Sequence, residues 1–341
     1  MNRYLIVLLG LFLFLFPDAY SSTLINGAGA TFPYPLYSKW FHEYQTIDKE
    51  VRINYQSIGS GGGIRQFLDK TIDFGATDVP MNEEQLKKAT APVLHIPTVL
   101  GSVVVSYNLS GLQAPLKLTP DVIADIFLGT IKKWEDARIS QLNPGTKLSG
   151  DILVAHRSDG SGTTRIFTDY LSKVSPLWKQ KVGSGTSVRW PVGLGGKGNE
   201  GVAGLIKQMG GSIGYVEHIY AASNNLAMAS IKNKAGTFIA PSLAAVTEAA
   251  AGVLKTMPDD FRVSITDAEG KGSYPISSFT YLLVYKTQLD VQKGAKLVKF
   301  LKWAVKDGQA LTQALHYSPL PKSLVSKVEA KIASIEVKKV N

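Results

Sequence analysis

The sequence predicts an α/β protein of two lobes, because strand-like apolar runs alternate with helix-period segments along its 341 residues and two long β-rich stretches separate the blocks. One stretch runs from His95 to Tyr107 through Pro97 and Val103-Val104-Val105, the other from Tyr274 to Tyr285 through Phe279 and Leu282-Leu283-Val284. Read as crossover strands, they assign residues 22–98 and 277–341 to a discontinuous first lobe and 99–276 to the second. A ligand cleft is then expected between the lobes. The length suffices for two compact domains, and 45% hydrophobic with 19% charged residues is the balance of a folded globular chain.

The first 21 residues read as a secretory signal peptide. Arg3 is followed by twelve apolar residues from Leu5 to Phe16, then Pro17 and a small-residue site at Ala19-Tyr20-Ser21. Twelve is too few to span a bilayer core, which takes about 20. Cysteine is absent, so no disulfide supports the exported chain and no thiol is present for lipid attachment. The expected location is the periplasm, with secretion or surface display as the alternatives.

Three helices are expected to begin at clusters of small polar residues and glycine. After Ala30-Thr31-Phe32-Pro33, the residues Leu36, Trp40, Phe41 and Tyr44 share one helix face, with Thr31 as the expected cap. After Gly59-Ser60-Gly61-Gly62-Gly63 come Ile64, Phe67 and Leu68, with Ser60 as the expected cap. After Asp159-Gly160-Ser161-Gly162-Thr163 come Ile166, Phe167, Tyr170, Leu171 and Val174. Helix starts present unpaired N–H groups and the positive end of the helix dipole, so three together, with Arg157 nearby, point to an anion. Two further helices are expected, one from Ser242 to Lys255 and one carrying Leu297, Val298, Leu301, Ala304 and Val305.

The formal charge is +10, and loss of the leader leaves it unchanged because Arg3 and Asp18 cancel. Such a field concentrates anions. The lysines are scattered, with no dense basic tract or RNA-binding aromatic signature, so a nucleic-acid partner is not expected. The five histidines lack metal-ligand spacing, and neither a metal nor a cofactor is expected. Gly193-Leu-Gly195-Gly-Lys-Gly198 matches a dinucleotide pattern in form, but its Trp-Pro entry reads as a loop without a strand feeding it. Ser161 lacks a nucleophile elbow because Asp159 stands at the first glycine position.

Seven ordered motifs then carry a specific resemblance: Gly27-Ala-Gly-Ala-Thr-Phe-Pro33, Tyr55-Gln-Ser-Ile-Gly-Ser60, Asp73-Phe-Gly-Ala-Thr-Asp78, Ile131-Lys-Lys-Trp-Glu-Asp136, Arg157-Ser-Asp-Gly-Ser-Gly-Thr163, Trp190-Pro-Val-Gly-Leu-Gly-Gly-Lys-Gly-Asn199 and Ile213-Gly-Tyr-Val-Glu217. Over essentially the whole mature length the chain resembles the phosphate-binding component of the high-affinity phosphate ABC transporter. The resemblance implies a two-lobed type II periplasmic-binding-protein fold, a monomer, inorganic phosphate as ligand, membrane permease subunits as partner, and no catalysis. It puts phosphate contacts at Thr31, Phe32, Ser60, Asp78, Arg157, Ser161, Gly162 and Thr163, with Ala30 and Asp159 behind them. The hydroxyls and N–H groups donate, and Arg157 offers a planar fork of donors. Asp78 is an acceptor, suited to a ligand that keeps a proton and hostile to fully ionised sulfate.

Asp159 either orients Arg157 or is a turn residue. Gly61 stands where relatives often carry a second serine, and His156 where a further basic residue is common. His156 either adds charge at low pH or is structural. Two other functions remain open at this point, a phosphoester hydrolase using the same cradle and a basic surface adhesion protein.

Overall fold

The computed structural model describes residues 22–112 and 114–339. The leader expected at residues 1–21 lies outside the described residues. No described helix is long and apolar enough to cross a membrane.

Nine strands form one continuous sheet: β1 (Thr23–Gly29), β2 (Val51–Ser57), β3 (Phe74–Thr77), β4 (Val93–Asn108), β5 (Leu153–Arg157), β6 (Leu194–Gly196), β7 (Ser212–Glu217), β8 (Ala227–Met228) and β9 (Ser277–Tyr285). Their spatial order is β2-β1-β3-β9-β4-β7-β5-β6, with β8 also on β4. The sheet changes character along β4. Its residues Val93 to Ser102 pair antiparallel with β9, and Val103 to Asn108 pair antiparallel with β7. One strand therefore belongs to both lobes. The Val103 N–H donates to the Ile276 carbonyl at 2.8 Å, so the outgoing and returning chains meet where the partners change.

Helices fill the connections between parallel strands, α1 (Tyr34–Ile47), α2 (Ser60–Leu68), α3 (Gly162–Val174) and α4 (Gly198–Gln208), and a further helix, α5 (Val291–Val305), follows β9. The apolar stripes read from the sequence face inward. Leu36, Trp40, Phe41 and Tyr44 of α1 are buried, as are Ile166, Phe167, Tyr170 and Leu171 of α3. In the first lobe Phe41 and Tyr44 pack on Phe300 of α5, at ring separations of 5.4 and 5.3 Å. In the second, Phe167 stacks on Tyr215 at 4.4 Å, and Phe127 meets Phe167 edge-on. Burying each such ring contributes about 1.5–3 kcal/mol.

This layout brings the carboxyl ends of the parallel strands, at Gly29, Ser57, Thr77, Arg157 and Gly196, to one crevice where the strand order changes lobes. A bulge lies in the β4–β9 pairing. Thr280 pairs with Val99 and Tyr281 with Pro97, leaving Thr98 unopposed. Pro97 has no N–H to give to the ladder, which accounts for the irregularity, and a bulge re-aims neighbouring side chains.

Candidate functional site

The first lobe contributes Thr31, Phe32, Ser60 and Asp78. Thr31 is not the cap of α1. The helix begins at Tyr34 after Pro33, with no side-chain cap. Pro33 has no N–H to donate to a threonine two residues earlier, and the Tyr34 N–H goes to the Thr31 carbonyl at 3.2 Å. The Thr31 hydroxyl is thereby left to the cleft. Among the described residues the Phe32 N–H has no acceptor, while the Phe32 carbonyl accepts from the Tyr317 hydroxyl at 2.6 Å. Ala30 lies behind them, its N–H on the Ala76 carbonyl and its carbonyl accepting from Tyr55.

Ser60 likewise differs from its expected place. Gly59, at φ +83, is the capping position, and Ser60 is the first residue of α2. Its hydroxyl accepts from the Asp78 N–H and donates to Asp78 Oδ2, both at 3.3 Å. Asp78, which directly follows β3, is buried, and Thr280 donates to its Oδ1 at 3.0 Å. Burial pushes the carboxyl up to about 7, against the pull of the Thr280 hydrogen bond, the Arg157 charge and the Ser60 hydroxyl.

The second lobe contributes the turn from Arg157 to Thr163. Arg157 ends β5, and its N–H donates to the buried Tyr215 hydroxyl, which also bonds Thr164 Oγ1, tying strand to helix. Its side chain is about as buried as a charge can be, with 1% exposed. Nε and Nη2 donate to the two Asp159 oxygens at 2.7 and 2.6 Å. Asp159 is thus an orienting partner as well as a turn residue. Burial raises its carboxyl, but the Arg157 hydrogen bonds and charge, with the Gly198 N–H, bring it below the usual range. Ser161 caps α3 by accepting from the Thr164 N–H at 3.0 Å, which leaves its own O–H free to donate. The N–H groups of Gly162 and Thr163 belong to the first turn and point out of the helix start.

The two halves meet. The Gly61 N–H donates to the Gly160 carbonyl at 2.9 Å across the cleft. A Cβ on Gly162 would lie 2.4 Å from both Asp78 Oδ2 and Ser60 Oγ, so glycine is required for this approach. One buried cluster therefore joins the lobes: Ser60 and Asp78 lie against Gly162 beside Ser161, and Thr31 is tied through Asn199 to Thr163, which Arg157 also reaches. It combines many donors with one protonatable acceptor, a set suited to an oxyanion that carries a proton.

Asn199, Thr280 and Tyr220 belong to this constellation and were not singled out from the sequence. Asn199 Nδ2 donates to Thr31 Oγ1 at 2.7 Å and to Thr163 Oγ1 at 3.1 Å. The Tyr220 hydroxyl donates to the Thr31 carbonyl. The run around Gly193–Gly198 is not a loop: Leu194–Gly196 is a strand in register with Ala155–Arg157, and Gly198 opens α4. His156 points away from the cleft, its ring stacked on Trp190 at 4.8 Å. Among the described residues no group of three or more metal-ligating side chains occurs.

Known proteins resemble this chain in sequence and in fold. Residues 17–307 match the family model described as the PBP superfamily domain. The chain is 47% identical over 315 residues to "Phosphate-binding protein PstS" of Xylella fastidiosa strain Temecula1, covering 92% of this chain and 86% of that one. It is also 47% identical over 310 residues to the Pasteurella multocida protein of the same description, covering 90% and 89%. Among solved structures it resembles a putative phosphate ABC transporter substrate-binding protein with bound phosphate from Clostridium perfringens. The TM-score is 0.66 and the identity 15%, over 88% of this chain and 100% of that one. At that identity the likeness is one of fold.

Proposed function

The chain belongs to the PstS family of phosphate-binding proteins within the PBP superfamily, and on that premise we propose that it captures inorganic phosphate between its lobes and delivers it to the membrane permease of a phosphate ABC transporter. The observation that carries the reading is the buried carboxyl of Asp78, set opposite the donor-rich start of α3. The hydroxyls of Thr31, Ser60, Ser161 and Thr163, the N–H groups of Phe32, Gly162 and Thr163, and the free edge of Arg157 hold the phosphate oxygens. Asp78 takes the proton that phosphate retains. Ala30 and Asp159 support the contacts from behind.

Capture proceeds without turnover. Among the described residues no base accepts from the Ser161 O–H, whose oxygen takes the Thr164 N–H, and His156 is stacked on Trp190. The apolar leader at residues 5–16 supports export to the periplasm, and the protein acts there as a monomer without nucleic acid.

The test is calorimetric titration of ligand-stripped protein with phosphate, arsenate and sulfate. Phosphate and arsenate bind and sulfate does not. Absence of phosphate binding, or equal binding of sulfate at pH 8, overturns the reading.

A further inference from the structure

Asn199 satisfies every polar group it has, and the pattern of those bonds constrains its neighbours. The residue is fully buried on the first turn of α4. Its Oδ1 accepts from the Glu217 N–H at 2.9 Å, which fixes the amide orientation, since the reversed amide would face that N–H with a donor. The amide nitrogen must then point at the two threonines. It gives one hydrogen to Thr31 Oγ1 and the other to Thr163 Oγ1. The Asn199 backbone N–H adds a second bond to Thr31 Oγ1 at 3.3 Å, and Arg157 Nη1 adds a second to Thr163 Oγ1 at 3.4 Å.

A hydroxyl has two lone pairs and one hydrogen. At both threonines the lone pairs already face donors, so the hydrogen is the one function left, and its direction is into the cradle. We propose that Asn199 is a positioning residue that turns the Thr31 and Thr163 hydroxyls into obligate donors and, because Thr31 is on the first lobe, completes the pair only when the lobes are closed. This rests on the phosphate-capture reading. Alignment and closure are then one event: the amide that orients Thr31 is also a direct bond between lobes. The same turn of α4 positions the cation, since the Gly198 N–H donates to Asp159 Oδ1 at 3.1 Å and Asp159 holds Arg157.

The variants Asn199→Ala and Asn199→Asp, each with and without Thr31→Val, separate this role from a structural one. Asn199→Asp keeps the acceptor for the Glu217 N–H and the side-chain shape, but replaces the two donated hydrogens with an oxygen. The threonine hydroxyls then turn to donate to that oxygen and away from the anion. Calorimetry with phosphate should show a loss of roughly 10- to 100-fold for Asn199→Ala and a larger loss for Asn199→Asp. A residue that merely holds α4 in place gives the opposite order, because the aspartate preserves the structural bond. Thr31→Val should weaken wild-type binding yet cost little in the Asn199→Asp background, where that hydroxyl is already diverted; simple charge repulsion predicts a full additional loss. Aspartate binding as well as alanine, or additive losses with Thr31→Val, overturns the proposal. Should Asn199→Ala fail to fold, the comparison of Asn199→Asp with its Thr31→Val double variant still decides. Failure of wild-type protein to bind phosphate in the same series would instead sink the capture reading itself.

Discussion

Replacing Asp78 by asparagine should relax sulfate rejection more than it weakens phosphate binding. In the closed cleft the carboxyl is buried between Ser60 and Thr280, with burial holding it up at about 7. Phosphate and Asp78 can therefore share one proton near neutral pH, carried by either partner, and their hydrogen bond survives the exchange. Sulfate brings no proton. At pH 8 it meets an ionised, buried carboxylate to which it has no hydrogen to give, and a buried acceptor left facing an anion without a donor between them costs about 1–3 kcal/mol, more when charged. That is a factor of about 5–150 in affinity.

Asparagine puts an amide donor in the same space and removes the charge, so sulfate affinity rises by at least that factor at pH 8. Phosphate loses less, since the amide oxygen still accepts. The sign of the pH dependence follows from the raised carboxyl. Below about 7 Asp78 is neutral and can donate to sulfate, so wild-type sulfate affinity is flat there. Above about 7, binding sulfate requires proton uptake, and affinity falls roughly tenfold per pH unit. Asp78→Asn has no such slope. Calorimetry of both anions across pH 6–9 measures all of this. Unchanged sulfate rejection in the variant, or a wild-type sulfate affinity insensitive to pH above 7, refutes the reasoning.

Arg157→Ala removes the buried guanidinium and leaves Asp159 without its partner, so phosphate affinity should fall roughly 10- to 100-fold; undiminished affinity in the same titration contradicts its role. Gly162→Ala places a Cβ 2.4 Å from the Asp78 and Ser60 oxygens, a conflict that exists only between closed lobes. It should cut phosphate affinity by about 5- to 150-fold and suppress the ligand-induced compaction seen by small-angle scattering, while the ligand-free melting temperature stays put. Glu217 is buried, its Oε1 has no hydrogen-bond partner among the described residues, and burial raises its carboxyl well above the usual range. Its neutral form is thus the stable one: its contribution is complete below the unfolded value of about 4.3 and is lost as pH rises through the higher folded value. Glu217→Gln should raise the melting temperature relative to wild type at pH 8 but not at pH 4, and a difference that does not grow with pH counts against this.

What the sequence showed well is what depends on neighbours a few residues apart. The starts near 31, 60 and 161 follow from small residues ahead of 3.6-residue apolar stripes, and the long β-rich runs follow from composition. The cap assignments at Thr31 and Ser60 missed because Pro33 withholds an N–H and Gly59 adopts positive φ, displacing each helix start relative to the hydroxyl. The short strand at Leu194–Gly196 has two glycines in three residues and no strand propensity of its own. It is held by its pairing with Ala155–Arg157. Asn199 and Thr280 escaped because their partners are remote: Thr31 is 168 residues from Asn199, and Asp78 is 202 from Thr280. Only the fold supplies those pairs. The same holds for His156, whose two readings are separated by a ring 34 positions away at Trp190.

The placement of charge explains why such remote pairs matter. The chain carries +10 overall, yet the one cation in the cradle, Arg157, is already matched by Asp159 through two short hydrogen bonds. Asp78 adds either nothing or a negative charge. The cradle therefore offers an anion no net counter-charge, and attraction must come from aligned N–H and O–H dipoles in a space where water no longer screens them. Dipoles bind only when aimed, whereas a bare cation attracts any anion from any side. A site of this kind selects by the number and direction of ligand lone pairs and protons, and it reaches full strength only once the lobes have closed around the ligand. The residues that aim donors, Asn199 at Thr31 and Thr163 and Asp159 at Arg157, then matter to affinity as much as the contacts themselves. The scattered surface lysines act earlier, by raising the concentration of anions at the cleft mouth, an effect that added salt removes while leaving the closed-state selectivity intact.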